Sequence, residues 1–85
     1  EISSLENVSE IQTNAFYGCS SLTSVGLTSN ITNIEKLAFA KCGNIAIYID
    51  LLLEDTLGFE EWFDSSASVY YRNEWSYVNG VPTPN

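Results

Sequence analysis

Histidine and methionine are absent from the 85 residues of this chain, and cysteine and proline occur only twice each. Without histidine the chain cannot build a Ser-His-Asp triad or a Cys-His nucleophile pair. Two thiols without histidine also fall short of the four ligands of a structural zinc site. Lysine-assisted serine chemistry lacks the strained Gly-x-Ser-x-Gly turn that would present its nucleophile. The sequence therefore predicts a protein that is not an enzyme and that uses no metal or other cofactor.

Positive charge is also scarce. Three basic side chains, Lys36, Lys41 and Arg72, stand against 11 acidic ones, which gives a formal net charge of -8. Because such a chain repels polyanions and anionic lipid surfaces, we expect no nucleic-acid partner. The longest candidate apolar run, Leu51 to Leu53, is far shorter than the roughly 18 residues of a membrane-spanning helix. No membrane span is predicted.

The chain has no initiator methionine, no basic n-region and no apolar h-region. Either a signal peptide has been removed or the chain is a piece of a longer protein, and we favour the piece. Its low lysine and arginine content, with abundant serine, threonine, asparagine and tyrosine, is typical of exported proteins. We therefore expect an extracellular, cell-surface location.

The sequence does contain an internal repeat with a period of 23 residues, the separation of Asn7 from Asn30. A shift by that period superimposes further identical residues, namely Ile11 on Ile34, Ala15 on Ala38, Phe16 on Phe39 and Cys19 on Cys42. Conservative pairs fill the gaps, with Val8 on Ile31 and Leu22 on Ile45. Because every apolar position keeps its register, the pattern predicts stacked structural units.

The third copy of the repeat is degenerate. Another shift by the same period places Trp62 where Phe39 stood and Ser65 where Cys42 stood. Terminal repeats are usually atypical, because the last coil has a neighbour on one side only. We interpret the stretch 50–61 as an insertion that widens the loop before this copy.

Each repeat contains a short strand. Val25 and Leu27 alternate with small residues, which is the period-2 pattern of a strand with one buried face. The corresponding later strand, 45–49, has slipped by one residue, since a strict shift would place Asp50 on Leu27.

Between the strands, the segments 14–19 and 37–42 are too short for a full α-helix and too apolar for a free loop, so we expect a turn or a single helical coil. Stacking such units places like side chains over like at the strand spacing of roughly 4.8 Å. The predicted fold is therefore an α/β repeat, a solenoid fragment with short parallel strands, short helical returns and a C-terminal cap. Its predicted structural ladder consists of Ile11, Phe16, Cys19, Leu22, Ile34, Phe39, Cys42, Ile45 and Trp62.

A resemblance to the BspA-type leucine-rich repeat rests on the unit Val8-Ser-Glu-Ile11-Gln-Thr-Asn-Ala15-Phe16-Tyr-Gly18-Cys19-Ser-Ser-Leu22-Thr-Ser-Val25 and on its second copy, from Ile31 to about Tyr48. The closing segment 75–84 is similar to the ends of bacterial surface proteins that carry these repeats. The resemblance covers almost the whole chain and identifies it as C-terminal repeats. It implies a leucine-rich-repeat solenoid in an exported cell-surface protein. Some members of the family are associated with adhesion to host matrix proteins, to other cells or to polysaccharide.

We divide the chain into a leucine-rich-repeat domain, 1–78, and an extended C-terminal tail, 79–85. Within the domain we expect repeats at about 5–27 and 28–49, a degenerate repeat at 50–71 and a cap at 72–78. The tail contains Gly80, Pro82 and Pro84, and we predict that it cannot continue regular structure.

The first coil would leave apolar faces of Ile2, Leu5 and Val8 uncovered if nothing preceded it. Unpaired strand edges readily pair with other chains. We therefore expect upstream repeats in the natural protein, or self-association through the uncovered N-terminal repeat.

Two surfaces are candidates for binding. The strands expose short polar side chains such as Ser24 on one face, which suits a protein ligand. The second candidate is a cluster of C-terminal aromatic residues, Tyr70, Tyr71, Trp75 and Tyr77, which offers flat rings to a sugar or a protein. The alternative role for these rings is to cap the last coil, and we favour capping.

The leading functional hypothesis is a non-enzymatic cell-surface interaction or adhesion module that binds an extracellular protein. The alternatives are a carbohydrate-binding module that uses the C-terminal aromatic residues, with a polysaccharide ligand, and a purely structural solenoid cap.

The remaining polar and thiol groups have simpler explanations. Cys19 and Cys42 would pair in an exported chain if geometry allowed, but stacked equivalent positions rarely present the Cβ directions that a disulfide requires, so we favour free buried thiols. The acidic pairs 54–55 and 60–61 lack the spacing of a calcium loop or the context of a glycosidase pair, and we interpret them as a solvated face. Asn7 and Asn30 head N-glycosylation patterns that would matter only in a eukaryotic secreted protein.

Overall fold

The computed structural model describes residues 8–59 and 61–85, and these residues adopt a repeat fold of short strands. The strands are β1 (Glu10–Ile11), β2 (Ser24–Leu27), β3 (Asn33–Ile34), β4 (Ala46–Ile49), β5 (Ser68–Tyr70), β6 (Trp75–Val78) and β7 (Val81–Pro84). A 3-10 helix, Leu53–Thr56, is the only helix in these two ranges.

Two parallel sheets stack the coils on one another. β1 pairs with β3 in the register of the sequence repeat, so that Ile11 lies beside Ile34. β2, β4 and β5 form the second sheet at an offset shorter by one position, which places Val25, Ile47 and Val69 in one row. The predicted one-residue slip of the later strand is therefore confirmed.

The slip lies between the return and the strand. Exposed Thr23 separates buried Leu22 from β2, whereas buried Ile45 directly precedes β4. The backbone treats Thr23 and Ile45 as equivalent, because the carbonyl of Thr23 accepts from the Ala46 amide at 3.0 Å and that of Ile45 from the Ser68 amide at 2.9 Å. The one-residue difference in spacing therefore lies before the strand begins, and the same face of the sheet stays buried.

The returns consist of consecutive turns, and the predicted short helical returns are not confirmed. Their backbone amides alternate between two kinds of acceptor. The amide of Phe16 donates across to the Ala38 carbonyl of the next coil at 2.8 Å, while the amide of Tyr17 donates back to Asn14 at 3.1 Å. A helix would require every amide to bond within its own segment. Bonding between coils therefore competes with helix formation and prevails.

Left-handed backbone positions recur at the repeat period and also oppose a helix. Asn14 and Leu37 have φ of 59° and 60°, and Gly18 and Lys41 have φ of 75° and 58°. This conformation is uncommon for residues with a Cβ. At Leu37 it is compensated by a hydrogen bond of 2.8 Å from the amide to the Glu61 carbonyl of the next coil.

The inward side chains of all three coils form one apolar core. Its buried members are Ile11, Leu22, Val25, Leu27, Ile31, Ile34, Ala38, Phe39, Cys42, Ile45, Ile47, Ile49 and Trp62, and Phe16 and Cys19 pack against them partly buried. Phe16 stacks on Phe39 with ring centroids 4.9 Å apart, and Phe39 meets Trp62 edge-on at 6.0 Å. The residues expected to form the ladder therefore all lie in or against this core.

The sheet of β1 and β3 is not continued by a strand from the third coil. At the corresponding position, the third coil has the 3-10 helix Leu53–Thr56. Asp55 begins this helix by accepting the Leu52 amide at 3.0 Å, and the hydroxyl of buried Thr56 donates to the Leu53 carbonyl at 2.8 Å. Further along, the carboxylate of Asp64 accepts the Lys41 amide at 2.9 Å. Side chains thus satisfy backbone groups where the repeat is interrupted.

The prediction that residues 79–85 cannot continue regular structure is wrong. β6 and β7 form an antiparallel hairpin around Asn79 and Gly80, whose φ values are 53° and 79°. Asn-Gly with both residues left-handed is the preferred two-residue hairpin turn. Pro82 and Pro84 fit β7 because, in the described part of the chain, β7 pairs only with β6, and an edge strand tolerates missing amide donors.

Both cysteines are free. The thiol of Cys42 donates to the Phe16 carbonyl with sulfur and oxygen 3.0 Å apart, and burial raises the pKa of this thiol. Cys42 therefore behaves as a small core side chain with one weak hydrogen bond.

Several expectations concern residues that are not described. Ile2, Leu5 and Asn7, on which the uncovered face and one glycosylation pattern depend, lie outside the described residues, as does Glu60. Within 8–59 and 61–85, no helix has the length and hydropathy that a bilayer crossing demands.

Candidate functional site

The outward face of the three-stranded sheet carries side chains in rows that cross the coils. The sheet register aligns Ser24, Ala46 and Ser68 in one row and Gly26, Tyr48 and Tyr70 in the next, and the same offset places Thr28, Asp50 and Arg72 in a third row. The face therefore changes from small to aromatic to polar side chains along the strand direction. This change is produced by the period-2 alternation of residues that do not enter the core.

The first row forms a shallow shelf. Ser24 and Ala46 are half-buried and Ser68 is exposed. No side chain in the row is larger than serine, so the backbone of three neighbouring strands lies close to the surface. We call these three residues the small-residue shelf.

The second row continues into the hairpin as a run of rings in contact. Tyr48 stacks on Tyr70 with centroids 5.2 Å apart and planes 13° apart. Trp75 lies against Tyr48 at 5.5 Å, and Tyr77 meets Trp75 edge-on at 5.2 Å. These four rings are called the aromatic ridge. Burial raises the pKa of the Tyr48 phenol, with a smaller contribution from Tyr70.

Trp75 joins the hairpin to the sheet through a backbone group. Its indole N–H donates to the Ile49 carbonyl at 3.1 Å. In the preceding coil, the equivalent Leu27 carbonyl accepts the Asp50 amide at 2.8 Å, but the Arg72 amide turns away to the Leu51 carbonyl. The indole therefore satisfies an acceptor that the ladder leaves without its backbone donor, and it fixes the ring in place.

A pocket of about 460 Å³ opens between the hairpin and the end of β2. Gly26 is one of the residues that line it, and it shares a row of the sheet with Tyr48 and Tyr70. The complete lining consists of Gly26, Leu27, Thr28, Asp50, Arg72, Asn73, Trp75, Ser76, Tyr77 and Asn85. We call this space the hairpin pocket.

The polar side of the hairpin pocket is held by a small network. Arg72 donates from Nε to Asp50 Oδ1 at 2.8 Å and from Nη2 to the Asp50 carbonyl at 2.7 Å. Asn85 accepts from the Ser76 hydroxyl at 2.8 Å and donates to the Asn73 carbonyl at 3.0 Å. These bonds tie the last residue of the chain to the loop between β5 and β6, so the polar rim has a defined geometry.

The structure separates the residues predicted for binding. Tyr70, Trp75 and Tyr77 lie together on the aromatic ridge, and Ser24 belongs to the small-residue shelf of the same sheet face. Tyr71 follows β5 with the opposite orientation and packs against the core beside Phe63. It lines shallow depressions at the far end of the coil, next to Leu57, which is 74% exposed.

Sequence reasoning missed Gly26, Tyr48, Asp50, Arg72, Asn73 and Asn85 as members of this site. Two signals were available. Strand alternation places Tyr48 on the outward face, and the repeat shift, corrected for the slip, brings Tyr70 beside it. The Asn79-Gly80 pair indicates a hairpin that returns along β6.

Three acidic side chains of the described residues, Asp50, Asp55 and Asp64, are engaged in separate local contacts. Ser66 donates its amide and its hydroxyl to Asp64, and these bonds, with the Lys41 amide, lower the pKa of the Asp64 carboxyl. Asp50 pairs with Arg72, and Asp55 begins the 3-10 helix. Within residues 8–59 and 61–85, no group of three or more histidine, cysteine or acidic side chains is close enough to hold a metal ion.

Comparison with known proteins gives one match. The family described as "BspA type Leucine rich repeat region (6 copies)" matches residues 1–65. No curated protein matches the chain. No solved structure matches it either.

Proposed function

This chain belongs to the BspA-type leucine-rich-repeat family, and on that premise we propose that it is a non-enzymatic interaction module that binds a protein ligand. The family is generally non-enzymatic, and its repeats are protein-interaction units. We further propose that the natural protein is an exported bacterial cell-surface adhesin. The acidic, lysine-poor composition supports an exported location.

We propose the small-residue shelf as the contact surface for the protein ligand. The observation that carries this proposal is the alignment of Ser24, Ala46 and Ser68 in one row across three parallel strands. Small side chains let a partner approach the sheet closely, and repeat proteins bind through such continuous rows. The aromatic ridge forms one border of the shelf and supplies the ring edges that protein interfaces favour.

We also propose a division of the chain into three coils and a C-terminal cap. We propose coils at about 5–27, 28–49 and 50–71, with the segment from 72 onward serving as a cap that includes the hairpin. The contact of Trp75 with Tyr48 and its hydrogen bond to Ile49 support a capping role.

The test is binding of the full chain to a panel of immobilised extracellular-matrix proteins, including collagen and laminin, by surface plasmon resonance. Ala46→Arg and Ser68→Arg each place a long charged side chain on the shelf, and we expect each to weaken saturable binding about tenfold or more. Gln12→Arg adds the same charge on an exposed return and serves as the matched control.

Circular dichroism must show that the variants keep the fold. Binding that is unchanged in both shelf variants would remove the shelf from the proposal. Absence of binding to every protein on the panel would favour a purely structural cap.

A further inference from the structure

We infer that the hairpin pocket is a binding site for a single neutral sugar ring, a hexopyranose unit at the end of or within a saccharide. This inference goes beyond the proposed function, because it concerns a pocket beside the aromatic ridge and a different class of ligand from the protein contact on the shelf. It rests on the size, the rings, the polar groups and the charge of the pocket.

The size of the pocket suits a small ligand. Its volume of about 460 Å³ falls within the range of roughly 300–1,000 Å³ that is typical of ligand pockets. A side chain at position 26 like those of Tyr48 and Tyr70 would project into this space, since all three residues share one row. Gly26, which lines the pocket, has no side chain to occupy it.

One wall of the pocket consists of two rings that are held in position. The indole of Trp75 is fixed by its bond to the Ile49 carbonyl and by contact with Tyr48. Tyr77 rests edge-on against Trp75 and is 63% exposed. The two ring planes are 73° apart, so a pyranose ring would lay its apolar C–H face on one of the rings while the other borders it.

The opposite wall supplies hydrogen-bond donors and acceptors. Arg72 donates hydrogen bonds from Nε and Nη2 to Asp50. In the described part of the chain, Asp50 Oδ2 and Arg72 Nη1 have no hydrogen-bond partner. Asn73 and Thr28, which carry an amide and a hydroxyl group, also line the pocket. A set that contains both acceptors and donors fits the hydroxyl groups of a sugar, each of which both donates and accepts.

Charge selects a neutral ligand. Asp50 and Arg72 form an ion pair, so the side chains that line the pocket carry no net formal charge. The chain as a whole carries -8, which repels an acidic saccharide. A cationic ligand would meet the Arg72 guanidinium. A ligand that hydrogen-bonds without a charge of its own avoids both penalties.

The experiment is titration of the full ¹⁵N-labelled chain with maltose, cellobiose, lactose and diacetylchitobiose, followed by NMR chemical shifts. We expect saturable shifts at the Gly26 and Asn73 amides and at the Trp75 indole N–H for at least one of these sugars. Tyr77→Ala removes an exposed ring and should weaken that binding about tenfold. Asn73→Gly, which keeps the left-handed backbone at φ 77°, should weaken it about threefold.

Tyr17→Ala is the matched control, because Tyr17 is also an exposed aromatic side chain but lies outside the pocket. We expect Tyr17→Ala to bind the sugar like the parent chain. The inference is overturned if none of the four sugars shifts the pocket signals, or if Tyr77→Ala binds as tightly as the parent. Loss of protein binding in the shelf variants with sugar shifts intact would separate the two sites.

Discussion

Two runs of aromatic rings cross the stacked coils, one in the core and one on the outward face of the sheet, and they differ in the origin of their residues. The inner run, Phe16, Phe39 and Trp62, is drawn from one return position in successive repeats. The outer run, the aromatic ridge, takes two rings from the strands and two from the hairpin. The inner run fills the core, whereas the outer run joins the last coil to the segment that covers it.

In both runs, the angle between neighbouring ring planes changes where the regular repeat ends. Phe16 and Phe39 are nearly parallel, with planes 10° apart, as are Tyr48 and Tyr70 at 13°. The contact of Phe39 with Trp62 is edge-on at 76°. Pure translation from coil to coil superimposes rings face to face. Edge contacts occur at the ends of the runs, where Trp62 belongs to the degenerate third coil and Tyr77 to the hairpin.

The largest expected effect tests the inner run. Phe39→Ala removes a fully buried ring between two neighbours and should lower the free energy of unfolding by about 3–5 kcal/mol. Phe16→Ala should cost less, because Phe16 is only partly buried. Urea denaturation measures both. Glu54→Ala, an exposed control, should change stability by less than about 0.5 kcal/mol. If Phe39→Ala had no larger effect than this control, the stacked-repeat interpretation would be wrong.

A smaller effect tests the attachment of the outer run. Trp75→Phe keeps an aromatic ring but removes the donor to the buried Ile49 carbonyl, and it should cost about 1–3 kcal/mol. Tyr77→Phe keeps the ridge and removes an exposed hydroxyl, so it should be nearly silent. Thermal unfolding followed by near-ultraviolet circular dichroism distinguishes them. Equal stability of Trp75→Phe and the parent would mean that the indole bond does not hold the hairpin.

The smallest effect is pH-dependent and concerns the junction between the second and third coils. Hydrogen bonds from Ser66 and from the Lys41 amide lower the pKa of Asp64 in the folded chain. The stability that this carboxylate contributes is therefore fully present above its unfolded pKa, near pH 4, and is lost as pH falls through the lower folded pKa.

Asp64→Asn should be less stable than the parent at neutral pH, and the difference should shrink below about pH 4. Urea denaturation at a series of pH values measures this difference, with Glu54→Gln as the control for a general loss of acidic charge. A difference that stays constant down to pH 2 would contradict the assigned bonds of Asp64.

The fold was largely predictable because it follows from periodicity. The repeat period located the coils, and the slip before β4 followed from the mismatch of Asp50 with Leu27. The form of the returns was not predictable in this way. Whether the Phe16 amide bonds within its own turn or across to Ala38 depends on the neighbouring coil, which local propensity does not contain.

The candidate site was predicted only in part. Tyr70, Trp75 and Tyr77 do lie together, but Tyr71 alternates to the other side of its strand. The hairpin was not predicted, because Pro82 and Pro84 argue against regular structure, whereas the Asn79-Gly80 pair favours a two-residue hairpin turn. Its consequence was missed as well, since a hairpin that folds back over the sheet brings Asn85 beside Asn73.

The sequence by itself determined the repeat, the buried face of each coil and the family, because these depend on side-chain period and on the chemistry of single positions. Tertiary structure alone decided that alternate backbone amides of the returns donate hydrogen bonds to the next coil. It also decided that the Trp75 indole donates to the Ile49 carbonyl and that Gly26 lines a pocket. Those outcomes depend on which groups meet across coils and across the hairpin. Such contacts are set by the packing of the whole chain, and no local pattern encodes them.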